Sequence, residues 1–181
     1  MLKKLIFGVL AVINIAFAEE ITIIGDSLTV GAEKYIRYYI PNAVIDAKVG
    51  RKFQEAMERI LDLESKGLLK DIVVIALGTN GYFSVEEGLK VIDYLQSKNK
   101  KVVFVNTKVP RWWESDVNNT YEELKRLRPN IIIIDWKTIS NVICSRDDIP
   151  ECFRKDGYHL TDTGSRLFSL LIYKYTHEHA N

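Results

Sequence analysis

The chain has 181 residues, 47% of them hydrophobic, 27% charged and 10% aromatic, with four prolines, ten glycines and two cysteines. This composition excludes a disordered, collagen-like or disulfide-scaffold protein. Lys and Arg number 25 against 24 Asp and Glu, a net charge of +1, so no broad electrostatic field draws in nucleic acid and none is expected as a partner.

In chain order the first element is an address. Lys3 and Lys4 precede an apolar stretch at 5–17, and Ala16-Phe17-Ala18 is a small-residue cleavage pattern. Together they read as a secretory signal over residues 1–18. The stretch contains Asn14 and is shorter than the ~20 residues of a spanning helix. Residues 19–181 are expected to form one domain, periplasmic or extracellular.

That domain alternates between Val/Ile runs at 21–24, 44–49, 72–77, 102–105 and 131–134 and amphipathic stretches near 31–40, 51–66, 84–98, 117–128 and 162–177. Runs apolar on both faces suit buried parallel strands. Strand then helix, repeated five times, predicts an α/β fold: a flavodoxin-like three-layer α/β/α sandwich around a five-stranded parallel sheet. Ligand sites of such sheets gather at the carboxyl ends of the strands.

The residues at those ends define the candidate chemistry. Ser27, in Gly25-Asp26-Ser27-Leu28-Thr29, stands between the first strand and the following helix. It is either an exposed nucleophile facing helix-terminal N–H groups or simply a helix cap. Thr29 excludes the G-x-S-x-G elbow, and the chain has neither phosphate-binding glycine loop. A serine nucleophile needs a base. His177 and His179 lie in the polar tail, where a solvated end is expected. His159 instead lies in Asp156-Gly157-Tyr158-His159-Leu160-Thr161, where Asp156 can reach its second ring nitrogen across a turn. The competing reading is a surface turn before a helix cap. Gly50 and Asn80, both at strand ends, offer an unobstructed N–H and an amide NH₂ for a developing oxyanion, or are turn residues only.

Gly25-Asp26-Ser27, Gly50, Gly78-Thr79-Asn80 and Asp156-x-x-His159 follow the order and approximate spacing of the four blocks of the SGNH (GDSL-type) hydrolases. Within that superfamily the sequence resembles the extracytoplasmic catalytic domain of peptidoglycan O-acetyltransferases. The supporting strings are Asp46-Ala47-Lys48-Val49-Gly50-Arg51, Ile75-Ala76-Leu77-Gly78-Thr79-Asn80-Gly81, Pro110-Arg111-Trp112-Trp113-Glu114 with Val117-Asn118, and Ile134-Asp135-Trp136. The resemblance covers about residues 21–175. It implies Ser27 as nucleophile, His159 as base and then acid, Asp156 as the residue orienting His159, and an oxyanion hole from the N–H groups of Ser27 and Gly50 and the side chain of Asn80. It implies no cofactor.

Arg111, Trp112 and Trp113 follow the fourth strand and are candidates for contact with a sugar ring or its carboxylate; a partly buried aromatic wall is the alternative. Asp135 and Trp136 are read as packing and support, and Asp26 as a turn residue. Cys144 and Cys152, an even count in an exported chain, are expected to be bridged and to brace the loop carrying Asp156 and His159. No Cys/His cluster has metal-ligand spacing. Acetyltransferases of this type often carry the domain on a multi-pass membrane acyltransferase, and none is written here. Transfer is therefore expected to use a separate membrane acyl donor, while an O-acetylesterase fits equally. The alternatives are a general esterase, lysophospholipase or thioesterase acting on lipid acyl esters, and a non-catalytic glycan-binding module.

Overall fold

The computed structural model describes residues 20–178; residues 1–18, read above as a secretory signal, and His179 lie outside them. Five strands form one all-parallel sheet: β1 Ile21–Gly25, β2 Val44–Ala47, β3 Ile72–Ala76, β4 Lys101–Val105 and β5 Ile132–Ile134, in the order β2-β1-β3-β4-β5. This is the expected flavodoxin-like sandwich, with its topological switch between β1 and β3. The helices are α1 Ser27–Tyr39, α2 Ala56–Ser65, α3 Val85–Ser97, α4 Glu114–Leu127, α5 Trp136–Cys144 and α6 Asp162–Glu178, with a 3-10 turn at Phe53–Glu55. Among the described residues no helix is long and apolar enough to cross a membrane.

The period of two along each strand divides the interior into two cores. Val73 and Ile75 of β3 face one side with Ile60 of α2, Ile92 of α3 and Leu124 of α4. Ile72 and Val74 face the other with Ile36 of α1, Trp136 of α5 and Ile172 of α6. Both faces of β3 are therefore buried, which explains its unbroken apolar run.

Several boundaries differ from the sequence expectation. α1 begins at Ser27, not near 31, because the Asp26 carboxylate caps it by accepting from Leu28 N at 3.0 Å. The second run ends as a strand at Ala47, since Val49 is exposed beyond the last pairing, Gly25 with Ala47. α4 starts at Glu114. α5 was not expected at all: its Ile, Val and Thr content masks a helix capped by Asp135, whose carboxylate accepts from Thr138 N at 3.0 Å.

The placement of the last helix matters most for the site. α6 packs on α1 through small side chains, with Ser165 Oγ donating to Gly31 O at 3.4 Å and Ser169 Oγ to Ala32 O at 3.3 Å. Tyr35 Oη also donates to Asp162. At Gly164 a Cβ would stand 2.0 Å from the carbonyl oxygen of Cys152, so the helix rests directly on the preceding loop. Gly164→Ala is expected to cost ~1–3 kcal/mol through overpacking against rigid backbone. Urea unfolding of the two proteins checks this; equal midpoints would refute the contact.

Candidate active site

Ser27 is the first residue of α1, directly beyond the carboxyl end of β1. Its hydroxyl oxygen lies 3.1 Å from His159 Nε2, and His159 Nδ1 lies 2.8 Å from Asp156 Oδ2. An Nδ1–H donating to the carboxylate leaves the Nε2 lone pair to accept the serine proton. Asp26, not Ser27, is the cap of the helix, so the hydroxyl is not engaged in capping.

The loop carrying Asp156 and His159 is built to hold them. An antiparallel bridge joins Phe153 to Leu160, and Arg154 N donates to His159 O at 2.7 Å. Asp156 Oδ1 accepts from Tyr158 N at 3.2 Å and His159 N at 3.0 Å, so the carboxylate folds its own turn around itself. The hydrogen bond to His159 draws the Asp156 pKa down to about 2, with the two backbone donors acting the same way. Its base of attachment is fixed by Thr161 N on Cys152 O at 3.0 Å. Cys152 is joined to Cys144 at the end of α5, with a Cα separation of 5.7 Å.

The remaining loops converge on one residue that the sequence reading assigned no role. Arg51 is 4% exposed. Its Nη1 donates to Gly25 O at 3.3 Å and Asp46 O at 2.6 Å, and its Nη2 to Asp46 Oδ1 at 2.7 Å. Arg59 Nε takes the other carboxylate oxygen, Asp46 Oδ2, at 2.7 Å. Burial pushes the Asp46 carboxyl up, but the two guanidinium groups outweigh it and hold the carboxyl below its ordinary value. Meanwhile the backbone oxygen of Arg51 accepts from Asn80 Nδ2 at 3.1 Å. One residue thus ties the end of β1, the loop containing Gly50 and the loop containing Asn80. Gly50 itself has φ +77, a conformation that favours glycine. One Asn80 amide hydrogen is given to Arg51; an NH₂ carries a second.

Arg111, Trp112 and Trp113 do not form one surface. Trp112 is 79% exposed. Trp113 packs against the core, and its indole N–H donates to Thr79 O at 3.3 Å. The Arg111 guanidinium lies over the Tyr158 ring, 5.8 Å from its centroid. Beside Ser27 a cleft of about 250 Å³ is lined by Val30, Gly31, Val49, Arg154, His159 and Leu160. Among the described residues no group of three or more His, Cys, Asp or Glu is placed to hold a metal ion. His177 bonds within its own helix, Nδ1 lying 2.9 Å from Tyr173 O.

Asp26 is the one carboxyl buried beside this site, at 1% exposure, with Oδ2 lacking a partner in hydrogen-bonding geometry. Burial raises its pKa to about 6, against the opposing pull of Leu28 N, Thr79 and His159. A raised carboxyl pKa means that the folded state holds this proton more tightly than the unfolded chain, so stability falls as pH rises from about 4 to about 6. Asp26→Asn keeps a capping oxygen and cannot ionise. Relative to the parent, the variant is expected to gain ~2 kcal/mol between pH 4 and pH 7. Urea denaturation at the two pH values reads this, and a pH-independent difference would contradict it.

Known proteins resemble the chain in sequence and in fold. It is 32% identical over 149 residues to the peptidoglycan O-acetyltransferase OatA of Listeria monocytogenes, covering 82% of this chain and 22% of that protein. It is 33% identical over 162 residues to the O-acetyltransferase OatA of Staphylococcus aureus, covering 87% and 25%. The chain therefore spans about a quarter of the length of these relatives. The C-terminal catalytic domain of Streptococcus pneumoniae OatA, solved with a methylsulfonyl adduct, superposes with a TM-score of 0.71 at 23% identity, covering 89% of this chain and 95% of that one. A GDSL-like lipase of Bacteroides thetaiotaomicron shares the fold with a TM-score of 0.63 at 14% identity, covering 89% of each chain. No family model matches the chain.

Proposed function

We propose that the chain is a member of the SGNH (GDSL-type) hydrolase superfamily, an exported serine enzyme acting on O-acetyl groups of peptidoglycan, a reading supported by its likeness to O-acetyltransferases in sequence and to a GDSL-like lipase in fold. The observation that carries the reading is the unbroken hydrogen-bond line Ser27 Oγ, His159, Asp156, at 3.1 and 2.8 Å, between residues far apart in the chain.

In the proposed reaction the Ser27 oxygen attacks the acetyl carbonyl carbon while His159 Nε2 takes the hydroxyl proton. The carbonyl oxygen becomes an oxyanion facing the N–H groups of Ser27 and Gly50 and the Asn80 amide, the donors held in register through Arg51. When the carbon–oxygen bond to the donor breaks, His159 returns its proton to the departing alcohol oxygen, leaving acetyl-Ser27. A second hydroxyl then gives its proton to His159 and attacks the acyl carbon, and Ser27 recovers its proton as it leaves. With a sugar hydroxyl the outcome is transfer; with water it is hydrolysis. Asp156, with its pKa near 2, stays ionised throughout and supports the imidazolium formed at each step.

Two observations favour a short acyl group over a lipid chain. The cleft beside Ser27, about 250 Å³, is smaller than the ~300–1,000 Å³ usual for larger ligands. Arg154 also places a cation in its wall. Relatives named as O-acetyltransferases support transfer to peptidoglycan. Export rests on the signal pattern at residues 1–18.

Ser27→Ala is expected to lower turnover of an activated acetyl ester by roughly 10⁴-fold or more with the thermal midpoint little changed. Asn80→Ala is expected to lower kcat by ~10²–10³. Undiminished turnover of the serine variant would remove Ser27 from the mechanism. Supplying an acetyl donor with a chito-oligosaccharide or muropeptide and analysing the products then separates the outcomes: acetylated sugar means transfer, and free acetate alone means hydrolysis.

A further inference from the structure

A second concavity, of about 390 Å³, opens between the loop after β3 and the first half of α4, lined by Tyr82, Val85, Trp112, Asp116, Asn119 and Thr120. It shares no residue with the cleft beside Ser27. We propose that this groove is a carbohydrate subsite holding an uncharged pyranose ring of the glycan chain other than the ring that gives or takes the acetyl group. The assignment rests on the glycan reading above.

The groove's chemistry is that of a sugar, apolar on its faces and polar around its edge. Trp112 and Tyr82, 79% and 47% exposed, line the same groove, so their apolar surface is gathered in one place and not scattered. The exposed indole is not loose. Trp113 meets it edge to face, with centroids 5.6 Å apart at 85°, and is itself fixed by its bond to Thr79 O. A propped aromatic face can stack on the C–H face of a pyranose with little ordering cost. Asp116 and Asn119 stand one helical turn apart on α4, and their carboxylate and amide offer acceptors and donors for ring hydroxyl and acetamido groups. Asp116 supplies a negative charge that disfavours a carboxylate or phosphate occupant, and the polar wall disfavours an acyl chain.

The groove is also wired to the reaction centre. Tyr82 follows Asn80 by two residues, so their Cα atoms lie within about 7.6 Å. Trp113 bonds the residue just before Asn80. A ring seated here would therefore bear directly on the loop that carries the amide donor, converting remote binding into positioning of the reacting ring.

Titration of the protein with chitotriose, followed by the indole N–H resonances and by calorimetry, tests the site. The Trp112 resonance, identified by its loss in Trp112→Ala, is expected to shift saturably. Affinity is expected to fall at least tenfold in Trp112→Ala and in Tyr82→Ala and severalfold in Asp116→Asn, with thermal midpoints confirming that the exposed substitutions leave the fold intact. In kinetics, the loss of kcat/KM on an acetylated chito-oligosaccharide is expected to exceed the loss on 4-nitrophenyl acetate at least tenfold. Glycan turnover equal in all variants would remove the subsite and keep the proposed function. Saturable binding at Trp112 in a protein that leaves glycan acetyl groups untouched would keep the subsite and remove that function. An unmoved Trp112 resonance at millimolar chitotriose, with no glycan turnover, would overturn both.

Discussion

The seating of α6 against α1 is the constraint on which the site depends. Ser27 opens α1, and His159 stands three residues before α6, so the angle and spacing of these helices decide whether hydroxyl and imidazole meet. Ala32, Ser165 and Ser169 keep the interface thin, and hydroxyl groups on α6 bond to carbonyl oxygens of α1. Larger side chains at these positions would separate the helices, and a hydrogen bond of 3.1 Å tolerates little separation. The helix pair has a packing role in the core and, in the proposed mechanism, a geometric role in the chemistry.

The loops on the opposite side of Ser27 are held by charge. A guanidinium as buried as that of Arg51 is costly unless its donors are met, and Asp46 with two backbone oxygens meets most of them. The direction of those bonds suits the proposed mechanism, since each ends on a strand terminus or a loop that contributes a donor. Asp26 is the opposite case, a buried carboxyl with one oxygen bonded and one without a partner. It caps the helix that begins with Ser27, and its ionisation is paid for by the stability of the whole fold.

In the proposed function the two concavities divide the surface at the carboxyl edge of the sheet between chemistry and recognition. The cleft at Ser27 is walled by Val30, Val49 and Leu160, suited to a small acyl group, while the aromatic groove lies beyond Asn80. The loop after β3 carries Asn80 and lends Tyr82 to the groove. It is anchored from α4 by Trp113 on Thr79 O and by Tyr121 Oη on Leu77 O at 2.5 Å. The local order of that loop is therefore a property of the α4 face as much as of its own sequence.

The sheet could be read before any coordinates because strands buried on both faces must be apolar throughout, and the short Val/Ile runs at 72–77 and 102–105 end at Gly78 and Asn106 and alternate with longer amphipathic stretches. Ser27, Asn80 and Asp156-x-x-His159 stood out as strand-end and turn residues, but a helix cap or a turn accounted for each one singly, and only the resemblance to the four SGNH blocks gave them catalytic roles. α5 was not, because its helical preference is weak and its one buried aromatic, Trp136, is satisfied only by Phe153 and Phe168 from distant segments. Arg51 was invisible for a related reason: an arginine looks solvated in any sequence until the chain folds carbonyl oxygens around it. Trp112 and Trp113, adjacent and chemically identical, were separated only by the start of α4, which turns one indole into the core and leaves the other in water. Local composition determined the elements and the candidate groups; the packing of α6 on α1 and of α4 on β3 decided which groups meet, because distances between remote residues are set by the side chains that separate their helices.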